Sequence, residues 1–132
     1  MKSHSTYVKV RYAETDQMGV VYHGNYAQYL EIARIEWLDS LGISYKKMEM
    51  EGVMLPVFEM KFKFLKSATF DDTLKIETFL KQKPGVRIEF SYLIYNQHGE
   101  LLTEAETTLV FMDTVKKRPV ICPEKLLKKL GY

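Results

Sequence analysis

The densest run of chemistry-bearing residues is Glu14-Thr15-Asp16-Gln17-Met18-Gly19-Val20-Val21-Tyr22-His23-Gly24-Asn25-Tyr26. Asp16 offers a carboxylate on a loop, and seven residues later His23-Gly24-Asn25 opens a stretch with the apolar spacing of a helix. The first amides of a helix lack intrahelical acceptors and lie at the positive end of its dipole. Such donors suit an anion, above all the oxyanion that develops at an acyl carbonyl under attack. Gly24 allows a substrate to approach the backbone closely. An ionised Asp16 near that positive end would polarise a water as general base, or attack the carbonyl itself. The same residues also fit a plainer account, with Asp16 as a turn residue, Asn25 as an N-cap and His23 as a partly buried, satisfied histidine.

The elements that must hold this segment can be read from periodicity. Upstream, YVKVRY at 7–12 alternates Val8, Val10 and Tyr12 with Tyr7, Lys9 and Arg11, the pattern of a half-buried strand. Downstream, Tyr26, Leu30, Ala33, Trp37 and Leu41 recur at helical spacing, with Glu31, Arg34, Glu36 and Asp39 at other positions around the helix. Gly42 is placed to end that helix with positive φ, and a short second helix follows around 44–50. Alternation then returns: Phe58, Met60, Phe62 and Phe64 point one way, and Glu59, Lys61 and Lys63 the other. Pro56 marks an edge or a bulge. Three further strands carry Leu74, Ile76 and Leu80, then Val86, Ile88, Phe90, Tyr92 and Ile94, then Leu101, Ala105, Leu109 and Phe111. Lys83-Pro84-Gly85 and Asn96-Gln97-His98-Gly99 are short enough to make these successive hairpins. A small amphipathic helix with Leu126, Leu127 and Leu130 closes the chain against the sheet. One long helix and an antiparallel sheet can share a core only if the sheet curls around the helix, an α+β arrangement.

The composition agrees. A chain of 132 residues, 46% hydrophobic and 13% aromatic, supports one folded domain over 1–132 and excludes disordered and collagenous classes. A net charge of +2 gives no general nucleic-acid footprint. The lone Cys122 forms no intrachain disulfide and has no metal-ligating companions, no apolar run reaches the length of a membrane span, and the N-terminus lacks a signal-like core, so the expected location is cytoplasmic. The outer sheet face carries Phe79, Leu93, Tyr95, Leu102, Val110 and Met112, too apolar to remain wet, so at least a homodimer is expected.

The stretch VRYAETDQMGVVYHGNYAQYLEIARIEWLDSLG closely resembles the hotdog-fold acyl-CoA thioesterases of the 4-hydroxybenzoyl-CoA thioesterase superfamily, especially the tol-pal-associated thioester hydrolase branch. The resemblance implies an antiparallel sheet of about five strands wrapped around one long central helix, a continuous sheet across a homodimer, assembly of dimers into a homotetramer, and hydrolysis of acyl-CoA substrates to free acid and CoA. It implies no cofactor, coenzyme A being part of the substrate. It assigns Asp16 the role of catalytic nucleophile or general base, the amide at Tyr22-His23 to the oxyanion hole, and the His23 side chain an auxiliary role in positioning or proton transfer. Gly24, Asn25 and Tyr26 would continue the substrate-facing helix start, Asn25 mainly by holding loop and cap. His23-Gly24 departs from the tyrosine-proline type of pair in members acting on aromatic substrates, so no hydroxybenzoyl preference is implied.

A thioester is electrophilic and its thiolate leaves readily, so a carboxylate with oxyanion donors suffices without a Ser-His-Asp triad. No GxSxG elbow is present, and Cys122 reads as structural. Lys66 and Arg87 are candidates for the phosphates of coenzyme A, as are Lys61, Lys63 and the 116–118 basic cluster, although each also fits solvated surface. Tyr26, Tyr29 and Phe58 are candidates for the acyl pocket, although ordinary core is the favoured account of them. Two other functions share this fold: a hydroxyacyl-thioester dehydratase, and a non-catalytic acyl-thioester-binding module.

Overall fold

The computed structural model describes residues 2–132. Strand β1 (Ser3–Lys9) leads through a loop to the long helix α1 (Tyr26–Ser40) and the short α2 (Tyr45–Met50). Next come β2 (Val53–Met54), β3 (Val57–Phe64), β4 (Thr73–Leu80), β5 (Arg87–Tyr95), β6 (Leu101–Val110), β7 (Met112–Asp113) and α3 (Glu124–Lys129). Five strands form one antiparallel sheet in the order β1-β4-β5-β6-β3, while β2 and β7 pair separately. The sheet wraps α1, the α+β hotdog arrangement. Among the described residues no helix is long and apolar enough to cross a membrane.

Helix α1 buries Tyr26, Tyr29, Leu30, Ala33, Arg34, Trp37 and Leu38, a stripe recurring every three to four residues. Gly42 stops it at φ +76°, a conformation costly for a residue with a Cβ. Ser44 caps α2 by accepting from the Lys47 amide at 3.1 Å. The sheet contributes Leu74, Ile76, Ile88, Tyr92, Ile94 and Leu109 to the same core. Cys122 is buried within it, and burial pushes its thiol up to about 11, which keeps it protonated and unreactive at neutral pH.

Four details differ from the periodicity reading. Strand β1 begins at Ser3 and ends at Lys9, so Tyr12 leaves the strand face, opens a 3-10 turn (Tyr12–Glu14) and is exposed. The Glu14 carboxylate, folding back onto the Arg11 amide at 2.8 Å, draws the chain out of the extended conformation there. Arg34 lies on the buried stripe rather than the polar side of α1, because it falls four residues after Leu30 and four before Leu38. Leu102 belongs to the core and not to the outer face: pairing steps from Ile94↔Thr103 to Tyr95↔Leu101, so Leu102 is an extra residue that inverts the alternation. A second irregularity between Val57 and Glu59, beside Pro56 on the edge strand, takes Phe58 out of the β3 alternation and leaves it 63% exposed.

Since Leu30 sits wholly buried where α1 crosses the sheet, Leu30→Ala is expected to lower unfolding free energy by about 2–5 kcal/mol. Urea denaturation measures this, and a change below about 1 kcal/mol would place the helix outside the core.

Candidate active site

Two segments, 14–16 and 20–22, pair as a miniature hairpin with Thr15 bridged to Val21, Asp16 N–H donating to Val20 O at 2.8 Å and Tyr22 N–H to Glu14 O at 3.0 Å. Asp16 occupies its corner, exposed to solvent. One carboxylate oxygen, Oδ1, accepts from the Met18 amide at 2.8 Å and the Val20 amide at 3.4 Å. Oδ2 has no hydrogen-bond donor among the described residues. The carboxylate is therefore oriented through one oxygen while the other stays available for chemistry.

The hairpin is bound to α1 through Glu14. Its side chain is buried and accepts from the Arg11 amide, from the Tyr29 hydroxyl at 2.9 Å and from Arg11 Nε at 3.2 Å. Burial by itself would raise the Glu14 pKa, but these donors outweigh it and hold the carboxyl below the usual range. The same proton balance raises Tyr29, through burial first and then through its bond to Glu14. The Glu14 carbonyl also accepts from Asn25 Nδ2 at 2.8 Å, so Asn25 ties the helix start to the hairpin instead of capping the helix with its side chain. Sequence reasoning passed over Glu14. The signal was there, in a carboxylate three residues past Arg11 and fifteen before a tyrosine on the buried face of α1.

A 3-10 turn, His23–Asn25, precedes α1. Asn25 N–H donates to Tyr22 O at 2.9 Å, and the Tyr22 amide is taken by Glu14 O. The amides of His23 and Gly24 meet no acceptor among the described residues. They are the unpaired donors expected at this helix start, with His23 rather than Tyr22 first among them. The Tyr22 ring packs against the His23 ring with centroids 4.4 Å apart and covers Gly24, where a Cβ would come within 2.7 Å of Tyr22 Cε2. A larger residue at 24 would require the half-exposed Tyr22 ring to move aside. His23 is exposed and faces Phe64 edge-on at 6.3 Å. Tyr26 is buried, packs on Tyr29 and Phe64, and receives the Ala68 amide at 3.4 Å on its hydroxyl.

The structure thus gathers Tyr22, His23, Gly24, Asn25 and Tyr26 at one end of α1, with Asp16 on the hairpin leading into it. Lys66 lies on the segment following β3, near this end, and is ion-paired with Glu100. Arg87 is not brought to it: it pairs with Val110 while Lys66 bonds to Leu102, eight residues away along β6 and so roughly 27 Å distant. The Arg87 guanidinium instead lies over the Phe58 ring, 5.2 Å from its centre.

The lowered Glu14 pKa has a pH signature. Its contribution is complete above the ordinary value of 4.5 and is lost as pH falls through the lower folded value. The wild-type melting temperature should therefore fall more steeply than that of Glu14→Gln between about pH 5 and about pH 3. Parallel curves would remove the carboxylate from the tether.

Residues 10–130 match the thioesterase-like superfamily. The putative acyl-CoA thioesterase YneP of Bacillus subtilis is 35% identical over 113 residues, 86% of this chain and 82% of that protein. The acyl-CoA thioester hydrolase YbgC of Escherichia coli is 34% identical over 120 residues, 91% of this chain and 90% of its own. The crystal structure of the DHNA-CoA thioesterase of Staphylococcus aureus superposes with a TM-score of 0.88 at 36% identity, covering 92% of this chain and 81% of that one. With the wrapped-helix fold and these relatives spanning nearly its full length, the chain belongs to the thioesterase-like superfamily and is a hotdog-fold enzyme of that family.

Proposed function

We propose that this protein hydrolyses acyl-CoA thioesters to a free acid and coenzyme A, with the thioester carbonyl oxygen received by the His23 and Gly24 amides. The observation that carries this reading is the pair of unpaired backbone donors at the start of α1, placed after a hairpin whose Asp16 keeps one oxygen free. Relatives named acyl-CoA thioesterases along nearly the whole chain support it.

In the reaction, either Asp16 Oδ2 or a water deprotonated by it attacks the carbonyl carbon. The π electrons move onto oxygen, where the two amides stabilise the developing charge. The tetrahedral centre then collapses and expels the coenzyme A thiolate, which takes up a proton. If Asp16 attacks directly, water subsequently opens the mixed anhydride and returns the carboxylate. His23, exposed beside the donors, positions the substrate or carries a proton. No cofactor is required, and dialysis against a chelator should leave turnover unchanged.

The site is completed by a second copy of the chain. Strand β3 is an edge strand, and its neighbours Phe58, Phe64, Leu65 and Tyr22 are exposed apolar residues around an unpaired backbone edge, a surface that single chains seldom leave open. Antiparallel pairing of β3 with its copy covers that edge and sets the Val57 end of one chain toward the Phe64 end of the other. This carries Arg87 and Phe58 of the second copy toward the His23 side, where Arg87 becomes available to a coenzyme A phosphate.

Asp16→Asn should lower kcat at least ~10²-fold in a free-thiol assay with an acyl-CoA panel. A variant turning over like wild type would remove the carboxylate from the mechanism. Appearance of enoyl product without thiol would favour a dehydratase instead. Light scattering should give a dimer or tetramer at micromolar concentration, and a monomer would contradict the shared site.

A further inference from the structure

A partly open, mainly apolar cavity lies away from the helix start, between the distal half of α1 and the sheet. This cavity of about 360 Å³ is lined by Trp37, Ile88, Phe90 and Leu109, by Leu126 of α3 and by Leu130 just after it. At roughly 30 Å³ per water-sized unit it has room for about a dozen non-hydrogen atoms. Arg34 lines it with only 9% of its surface exposed.

The surroundings of Arg34 are unusual for a buried charge. Its hydrogen bond among the described residues runs from Nη1 to the Tyr92 hydroxyl at 3.2 Å, and that hydroxyl is shared with Thr107 Oγ1 at 2.6 Å. No carboxylate among the described residues lies within ion-pairing distance of it. Glu31, one turn earlier on α1, and Tyr45 also line the cavity, but Glu31 makes no ion pair with it and the Tyr45 hydroxyl is used by the Leu55 amide at 2.9 Å. A guanidinium has five N–H donors and retains its charge when buried. Nε and Nη2 have no protein acceptor among the described residues and neither is sealed from solvent, so they stay open to an acceptor that enters the cavity.

We propose that this cavity binds an apolar group tipped by a hydrogen-bond-accepting oxygen, which Arg34 receives, and that in thioester hydrolysis it takes the far end of the acyl chain. The acyl role rests on the hydrolase reading above. Val57 lies on the cavity wall at the start of β3. In an antiparallel pairing of two β3 strands, this is the end turned toward the other copy's Phe64 and His23. An acyl group held there by its carbonyl extends across the seam into the neighbouring cavity. The enzyme then favours acyl chains bearing a distal carboxylate, keto or hydroxyl group over plain alkanoyl chains of equal length.

Trp37 is the single tryptophan of the chain, so its fluorescence reports occupancy without any turnover. Titrations of wild type, Arg34→Met and Leu130→Phe with cyclohexanone, cyclohexanecarboxylate and chlorocyclohexane separate oxygen-tipped from apolar probes of similar size. Wild type should bind at least one oxygen-tipped probe about ten-fold more tightly than chlorocyclohexane. That ratio should fall to about one in Arg34→Met, a change that leaves no charge stranded in the core. Leu130→Phe should weaken all three probes by filling the space. The ketone and carboxylate arms tell a neutral tip from an anionic one. Equal binding of all probes by wild type, a preference that survives Arg34→Met, or indifference to Leu130→Phe would overturn the proposal. In parallel, kcat/KM for adipoyl-CoA or 6-hydroxyhexanoyl-CoA relative to hexanoyl-CoA should drop about ten-fold in Arg34→Met. If wild type releases thiol from none of these thioesters while the fluorescence preference holds, the hydrolase reading fails and the ligand preference stands. If thiol is released without any such preference, the cavity proposal fails alone.

Discussion

The site depends on one buried carboxylate. Glu14 is held by the Arg11 amide and the Tyr29 hydroxyl, while its own carbonyl holds the Tyr22 amide and the Asn25 side chain. Four points of the backbone and α1 therefore meet at one residue. By consuming the Tyr22 amide, the Glu14 carbonyl decides which donors remain open, namely those of His23 and Gly24. By bonding to Tyr29, the side chain fixes the hairpin against the long helix, so the Asp16 corner and the helix start move as one body. A buried carboxylate held by three donors is stable only if ionised, which is why its pKa is lowered despite burial. Preorganised donors of this kind need no rearrangement as charge develops on a substrate oxygen.

The wrapped sheet supplies the rigidity behind this arrangement and leaves an edge open beside it. Five strands around one helix close the core on the β1, β4, β5 and β6 side, whereas β3 leaves the His23 end of α1 beside an open edge. The exposed Phe58, Phe64 and Tyr22 cluster near that edge rather than on the outer sheet face, where Phe79, Leu93, Tyr95, Val110 and Met112 are half-buried. Apolar area uncovered next to unpaired strand amides favours association through this edge, the seam of the proposed dimer.

Much of this was legible in the residues themselves. Sustained periodicity placed α1 and its Gly42 stop, and the hairpin turns placed β4, β5 and β6 in order. These signals are local and repeat many times, so single exceptions do not erase them. The misplacements came where one residue breaks a period. Leu102 is an extra residue in a strand, Phe58 sits at a bulge, and Tyr12 comes just before Glu14, the carboxylate that turns the chain. The polar β1 stretch Ser3–Thr6 carries no alternation of apolar residues to read, although Thr6 is fully buried. Arg34 fell on the buried stripe by spacing, yet its charge argued for the surface. The site motif was readable as a helix start with a nearby carboxylate. Which amides stay open was not, because that depends on the Glu14 carbonyl reaching across the hairpin, a contact with no signature in residue type.

The most direct measurement is the backbone 15N–1H response to a non-hydrolysable acyl-CoA analogue in which methylene replaces sulfur and the carbonyl is retained. The His23 and Gly24 amides should shift downfield further than any others, while the Tyr22 amide, already bonded to Glu14, stays nearly still. Binding that moves other amides and leaves those two in place would contradict the account.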